Sequence, residues 1–245
     1  MKHNFYSFAG HCFQIFTNYN YFHRNCNDYI VNDFSDSSLS TTIEDIQQME
    51  KQFRVTNADF PNMKDNLVPN YLEFLAVQRK VTEALLDYDT ILFHASALAM
   101  DGKGYLFTAL SGTGKSTHSR LWREQFGDRV TMINDDKPFI HIGEDEARVY
   151  GSPWDGKHHL STNTSVPIKA IVILTRDTTN HIERINADEA FPILYQQTQR
   201  FKEPEKLIKI MDLLKLLTDR VELYRLGCNM DPEAAIVSYE GMNHE

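Results

Sequence analysis

The segment Ala109-Leu110-Ser111-Gly112-Thr113-Gly114-Lys115-Ser116-Thr117 has the composition and spacing of a phosphate-cradling loop. Glycines let successive backbone N–H groups turn inward on an anion, and a helix starting near Lys115 adds its unpaired N–H groups and positive end. Lys115 is then placed for the outer phosphates of a nucleotide, and the Ser116 hydroxyl for Mg²⁺. Ser111, Gly112, Thr113, Gly114 and Thr117 complete the cradle. A Gly-x-Gly pattern alone would be weak. Here the Lys-Ser pair follows at once, between an apolar β run and a helix, and that context makes the signal specific. Ala109 stands where the pattern usually opens on glycine, which leaves the core intact but implies a different entry to the loop. ATP with Mg²⁺ is the expected ligand, although the loop itself does not distinguish adenine from guanine.

Asp135 and Asp136 close the run Val130–Asn134, about 20 residues after the loop. Strands of an α/β sheet deliver their C-terminal ends to one edge, so both carboxylates can face the same phosphates. Phosphoryl transfer needs the donor positioned, its charge neutralised and the nucleophile oriented. The division expected is Asp135 for the metal and Asp136 as proton acceptor. His94 lies inside the apolar run Ile91–Ala97 and needs a partner if buried; a satisfied core histidine and a group beside the γ-phosphate are both open. In Gly151–Lys157, Lys157 can neutralise phosphate or acceptor charge, while Trp154 either packs the loop down or shapes an acceptor pocket. Arg176, just past the run Ile168–Leu174, suits a phosphate, a base or a surface ion pair.

These residues need elements to hold them. Phe5–Phe34 is dense in aromatic and β-branched residues broken by Asn and Asp, which predicts short strands and polar turns. Asn57–Asn70 carries two prolines and suits a connection. A helix is predicted over Asn70–Asp87, capped by Asn70, then a single buried strand over Thr90–Met100 and a tight Asp101–Gly104 turn. Strands follow over Tyr105–Leu110 and Val130–Asn134, flanking an amphipathic helix from Lys115 to Gln125. Phe139–Ile142 and Arg148–Tyr150 suit a hairpin, Ile168–Leu174 a central strand and His181–Ile185 a further one. Helices then take over at Ala187–Thr198 and Pro204–Asp219, and Cys228 falls in a turn before a short terminal helix. The expected division is a β-rich region over residues 1–68 and a nucleotide-binding core with a helical cap over 69–245.

Bulk properties bound the function. With 245 residues, 42% hydrophobic and 24% charged, the composition is that of a globular protein. A net charge of -9 lacks the basic surplus that displaces counterions from nucleic acid. No apolar run approaches the roughly 20 residues needed to cross a bilayer, and no clean signal pattern opens the chain, so a cytoplasmic setting without membrane attachment is expected. Cys12, Cys26 and Cys228 are too few and too scattered for a disulfide framework, and with His11 and His23 they match no compact zinc pattern. The apolar faces of the C-terminal helices suit packing on the core or pairing with a second copy, leaving a homo-oligomer open.

The motifs HASAL, GYLFTALSGTGKSTHSRLW, MINDDKP and YGSPWDGK resemble the HPr kinase/phosphorylase C-terminal domain family, which is related in fold to ATP-dependent phosphoenolpyruvate carboxykinase. The resemblance covers roughly Asp89–Asp177. It implies an α/β P-loop kinase core using ATP and Mg²⁺, with Gly112, Gly114, Lys115 and Ser116 on phosphates and metal. It further implies Asp135 and Asp136 in metal binding and catalysis, with His94 at the site. The N-terminal 88 residues and the helix-rich tail lie outside it. They point to a different acceptor platform: a serine hydroxyl in a small molecule or peptide. The alternatives are an HPr-type protein serine kinase and a nucleotide-regulated binding protein without transfer activity.

Overall fold

The computed structural model describes residues 2–32, 35–53, 67–156 and 158–243. The chain forms two compact units, Met1–Asp87 and Tyr88–Glu245. The first combines a three-stranded sheet with helices, and so is mixed rather than β-rich. Strands β1 (Lys2–Phe8) and β2 (His11–Thr17) form an antiparallel hairpin across Ala9-Gly10, both at positive φ. The short helix α1 (Tyr21–Asn25) carries the chain back so that β3 (Ser37–Ser40) pairs parallel to β2. Helices α2 (Ile43–Phe53) and α3 (Leu67–Leu85) bury Ile46, Met49, Leu72 and Ala76 together. The expected Asn70 cap falls inside α3. This helix groups with the first unit because its apolar face is matched by α2, which places the boundary well beyond residue 68. Most of the expected connection at Asn57–Asn70 lies outside the described residues.

Glu73 ties α3 to the strands around it. Its buried carboxylate accepts hydrogen bonds from the N–H groups of Asn18 (2.7 Å) and Tyr19 (2.8 Å), from Asn18 Nδ2 (3.0 Å) and from Thr41 Oγ1 (2.6 Å). His23 is likewise consumed by packing. Thr17 Oγ1 donates to Tyr19 O at 2.7 Å, so His23 Nε2 donates to Thr17 and Nδ1 accepts from Tyr6 Oη. Burial raises the Cys26 thiol pKa well above its usual range. His23 and Cys26 are thus held within the packing of the first unit.

The second unit is a mixed nine-stranded sheet with helices. The path begins with β4 (Thr90–Leu92), then β8 (Phe139–Ile142), β9 (Ala147–Tyr150) and β10 (Ser165–Arg176). It continues through β6 (Lys103–Thr108) and β5 (Ser96–Met100) to β7 (Val130–Asn134). The long β10 pairs antiparallel to β9 at its start, then parallel to β6 along its buried apolar stretch. On its other side it runs parallel to β12 (Glu222–Cys228), which also pairs with β11 (His181–Arg184). Helix α4 (Lys115–Phe126) follows β6. Helices α5 (Ala187–Gln197) and α6 (Pro204–Arg220) precede β12, and α7 (Glu233–Asn243) follows it. Side chains of α4 and α7 meet Leu98, Tyr105, Phe107, Val172 and Leu226 in one apolar core around Trp122.

Two expectations are corrected here. Thr90–Met100 is two strands in different parts of the sheet, because the chain leaves β4 at Phe93 and rejoins at Ser96. The C-terminal region is not a purely helical cap, since β12 enters the sheet. Its charges hid it: Glu222 accepts from Lys169 at 2.6 Å and Arg225 donates to Glu183 at 3.0 Å, pairs that only the folded sheet supplies. No helix among the described residues is long and apolar enough to cross a membrane.

Candidate active site

The ends of β6 and β7 bring the sequence-predicted residues to one edge of the second unit. After Thr108 the chain enters the loop, and Gly112 (φ 79°) and Gly114 (φ 130°) take the left-handed backbone that L side chains resist. Ala109 is not at positive φ and is buried at the strand end, so this position does not require glycine. Gly114 caps α4, and the helix begins at Lys115. The Lys115 side chain is buried and folds back onto the loop, where Nζ donates to Ala109 O at 3.3 Å. Burial lowers its pKa, opposed by the charge of Asp136. No carboxylate lies within ion-pair distance of it among the described residues. The ammonium is therefore a largely desolvated charge with one carbonyl for company, a state that an anion in the loop would relieve.

Arg176, at the end of β10, donates to Gly112 O at 2.5 Å and more weakly to Thr113 O at 3.5 Å. It braces the loop carbonyls instead of forming the surface ion pair that was open to it, and it keeps a positive charge beside the glycines. Lys157 lies outside the described residues.

The aspartates are held by a residue that motif reasoning passed over. Asn134 Oδ1 accepts from the N–H groups of Asp136 (2.8 Å) and Lys137 (2.6 Å), while its Nδ2 donates to Ser152 O (3.0 Å) and Oγ (3.1 Å). An Asn directly before Asp-Asp is the available signal, since Asx side chains commonly bond backbone two or three residues on. Asp135 is buried, and its Oδ1 accepts from Gly156 N–H at 2.6 Å. A Cβ at Gly156 would sit 2.6 Å from Asp135 Oδ2, so the glycine is needed for this approach. Burial raises the Asp135 pKa, with Asp155 and Asp136 adding to it and the Gly156 bond opposing.

Asp136 has the opposite setting. His94 Nε2 lies 3.1 Å from Asp136 Oδ1, and Lys137 Nζ lies 3.8 Å from it. Burial alone would raise its pKa, but the His94 hydrogen bond and the charges of Lys137, His94 and Lys115 hold it below the usual carboxylate range. His94 reaches it because it occupies the break between β4 and β5, where its N–H donates to Gln197 O at 2.8 Å. His94 therefore has a partner, and that partner is the Asp136 carboxylate. Trp154 is buried edge-on against Phe139, 5.9 Å between centroids, and so packs the loop down.

Two clefts meet this edge. One, of about 440 Å³, is lined by Gly112–Gly114, His118, Arg176 and Met230. The other, of about 570 Å³, takes in Ser116, Arg120, Arg123, Asp135 and His158. Thr117 lines both. No three His, Cys, Asp or Glu side chains converge as a ready metal centre among the described residues. The second cleft instead brings hard oxygen donors together, among them the Ser116 hydroxyl and the Asp135 carboxylate. Donors of that kind are the ones Mg²⁺ prefers, and these two residues would hold it.

No family model matches the chain, and the search of curated proteins found no match. A solved structure, the Hpr(Ser) kinase/phosphatase from Coxiella burnetii, overlaps 51% of this chain and 88% of its own. The identity is 12% and the TM-score 0.29. The site must speak through its own side chains. Arg120 and Arg123 line the second cleft and Lys137 stands beside Asp136, positions that no motif in the sequence singles out.

Proposed function

We propose that the protein is an ATP-dependent phosphotransferase acting on a hydroxyl group, with a P-loop kinase core of the HPr kinase type in its second unit. The observation that carries this reading is the buried Lys115 ammonium inside a two-glycine loop, with two aspartates of opposed electrostatic character at the end of β7. Lys115, the loop N–H groups and the N-terminus of α4 bind and orient the phosphates. Ser116 and Asp135 hold Mg²⁺, which neutralises phosphate charge when bound. Asp136, kept ionised by His94 and Lys137, takes the proton of the incoming hydroxyl. A loose phosphoryl-transfer transition state asks little basicity of that group, so an ionised, well-placed carboxylate suffices. Arg176 holds the loop in shape.

The test is acceptor-dependent ADP formation by the full chain with labelled ATP and Mg²⁺, with the phosphorylated product read by mass spectrometry. Hydroxyl amino acids, small metabolites and short serine peptides form the acceptor panel. Lys115→Ala should weaken nucleotide binding by about ten- to hundredfold, the loss of one or two charge-assisted hydrogen bonds. Tight ATP binding with no transfer to any acceptor would instead leave a nucleotide-regulated binding protein.

A further inference from the structure

The cleft that contains Ser116 and Asp135 is charged at one end in a way that phosphate binding does not use. Ser116, Arg120 and Arg123 occur at i, i+4 and i+7 of α4, which places them along one stripe of the helix. At 1.5 Å per residue, the arginines stand about 6 and about 10.5 Å along the axis from Ser116. All three line the same cleft. Arg120 is partly satisfied, its Nη1 donating to Glu124 at 2.8 Å on the exposed side. The Arg123 side chain forms no hydrogen bond or ion pair among the described residues, and its Nε is buried without a partner. Asp135, the acid that lines this cleft, sits at the Ser116 end and is already engaged by Gly156 N–H. The cleft therefore has a transfer end and, one to two helical turns away, an unmatched planar cation. A carboxylate or phosphate group matches that cation, accepting parallel N–H bonds from its fork.

We infer that the phosphate acceptor is a small hydroxyl-bearing anion, its carboxylate or phosphate held by Arg123 with Arg120 beside it and its hydroxyl at the Asp135 end. This rests on the phosphotransfer reading and specifies its substrate class; the loop and the aspartates alone would serve a neutral alcohol equally. In the step, the acceptor oxygen bonds to the γ-phosphorus of ATP. The bond from that phosphorus to the β–γ bridging oxygen breaks, its electron pair leaves on ADP, and the hydroxyl proton passes to Asp136, which lies outside the cleft lining but follows Asp135 directly at the end of β7.

Glycerate and L-serine supply carboxylates, glycerol 3-phosphate supplies a phosphate, and glycerol and L-serinamide lack the anion. The inference expects kcat/KM at least about tenfold higher for one anionic class than for the neutral members, and the better class identifies the anion. Arg123→Gln should raise the acceptor KM by about tenfold or more and erase that preference, while the KM for ATP stays near its original value; Arg123→Lys should restore part. Arg120→Gln provides the same comparison should Arg123→Gln fail to fold. Equal use of neutral and anionic acceptors by the unaltered protein would overturn the inference and leave phosphotransfer standing, as would an unchanged acceptor KM in Arg123→Gln. Absence of ATP binding, or of any acceptor-dependent ADP, would remove the parent reading and the inference with it.

Discussion

At the scale of single residues, the site is organised by contrast between adjacent side chains. Asp135 and Asp136 are sequence neighbours, yet one is buried against Gly156 and the other is surrounded by His94, Lys137 and Lys115. Asn134 makes the difference, because its side chain fixes the turn that sends them into separate environments. Asp136→Asn removes the proton acceptor but keeps the shape and the Asn134 contact, which is made by backbone. Turnover with the acceptor should fall by about 10²–10⁴, the usual scale for a general base, with nucleotide affinity nearly unchanged. Asp135→Asn should show the complementary pattern, a higher Mg²⁺ requirement. Steady-state kinetics across a Mg²⁺ titration separates the two, and equal rate losses with equal metal dependence in both variants would refute the division.

At the scale of elements, α4 carries the loop and must be held rigidly against the sheet. Trp122 Nε1 donates to Ser238 Oγ at 2.8 Å, and that hydroxyl donates to Ala235 O at 3.0 Å. Ser238 Oγ thus has only acceptor capacity left, so His118 Nε2, 3.1 Å away, must carry the proton, and the buried Nδ1 is bare. Burial accordingly lowers the His118 pKa to about 3. Above pH about 6.5 the ring is neutral both folded and unfolded. As the pH falls below that, the unfolded chain gains a proton that the folded one refuses, and stability declines toward pH 3. At pH 5 the loss should be about 2 kcal/mol. Urea unfolding at pH 7 and pH 5 would show it as a difference between the unaltered protein and His118→Gln, and identical pH slopes would contradict it. In the first unit, Glu73 plays the corresponding part for α3. Glu73→Ala takes the acceptor from two backbone N–H groups and leaves the Thr41 hydroxyl only its long bond to Phe16 O, so unfolding of that unit should ease by about 2–5 kcal/mol.

At the scale of the whole molecule, legibility followed the range of the interactions that decide each feature. The loop, α4, β7 and the β8–β9 hairpin are set by local spacing, and the sequence places them within a residue or two. The break at His94 depends on a hydrogen bond to Gln197, and β12 depends on charge partners up to 53 residues away, which periodicity cannot see. The same holds for Arg123, whose significance is the cleft it borders. Net charge is the least informative quantity of all: the chain carries -9, yet Arg120, Arg123 and Arg176 line the two clefts and Lys115 is buried in the loop beside them. That local reversal predicts where ligand stabilisation appears. A nucleotide at 100 times its dissociation constant should add about 2.7 kcal/mol to the second unit, a rise of roughly 5–10 °C in its melting transition. The first unit has its own core around α2 and α3, and its transition should not move. Differential scanning calorimetry with ATP and Mg²⁺ would test this on the full chain. The rise should shrink with a chelator and vanish in Lys115→Ala; an equal rise in that variant would place nucleotide binding away from the loop.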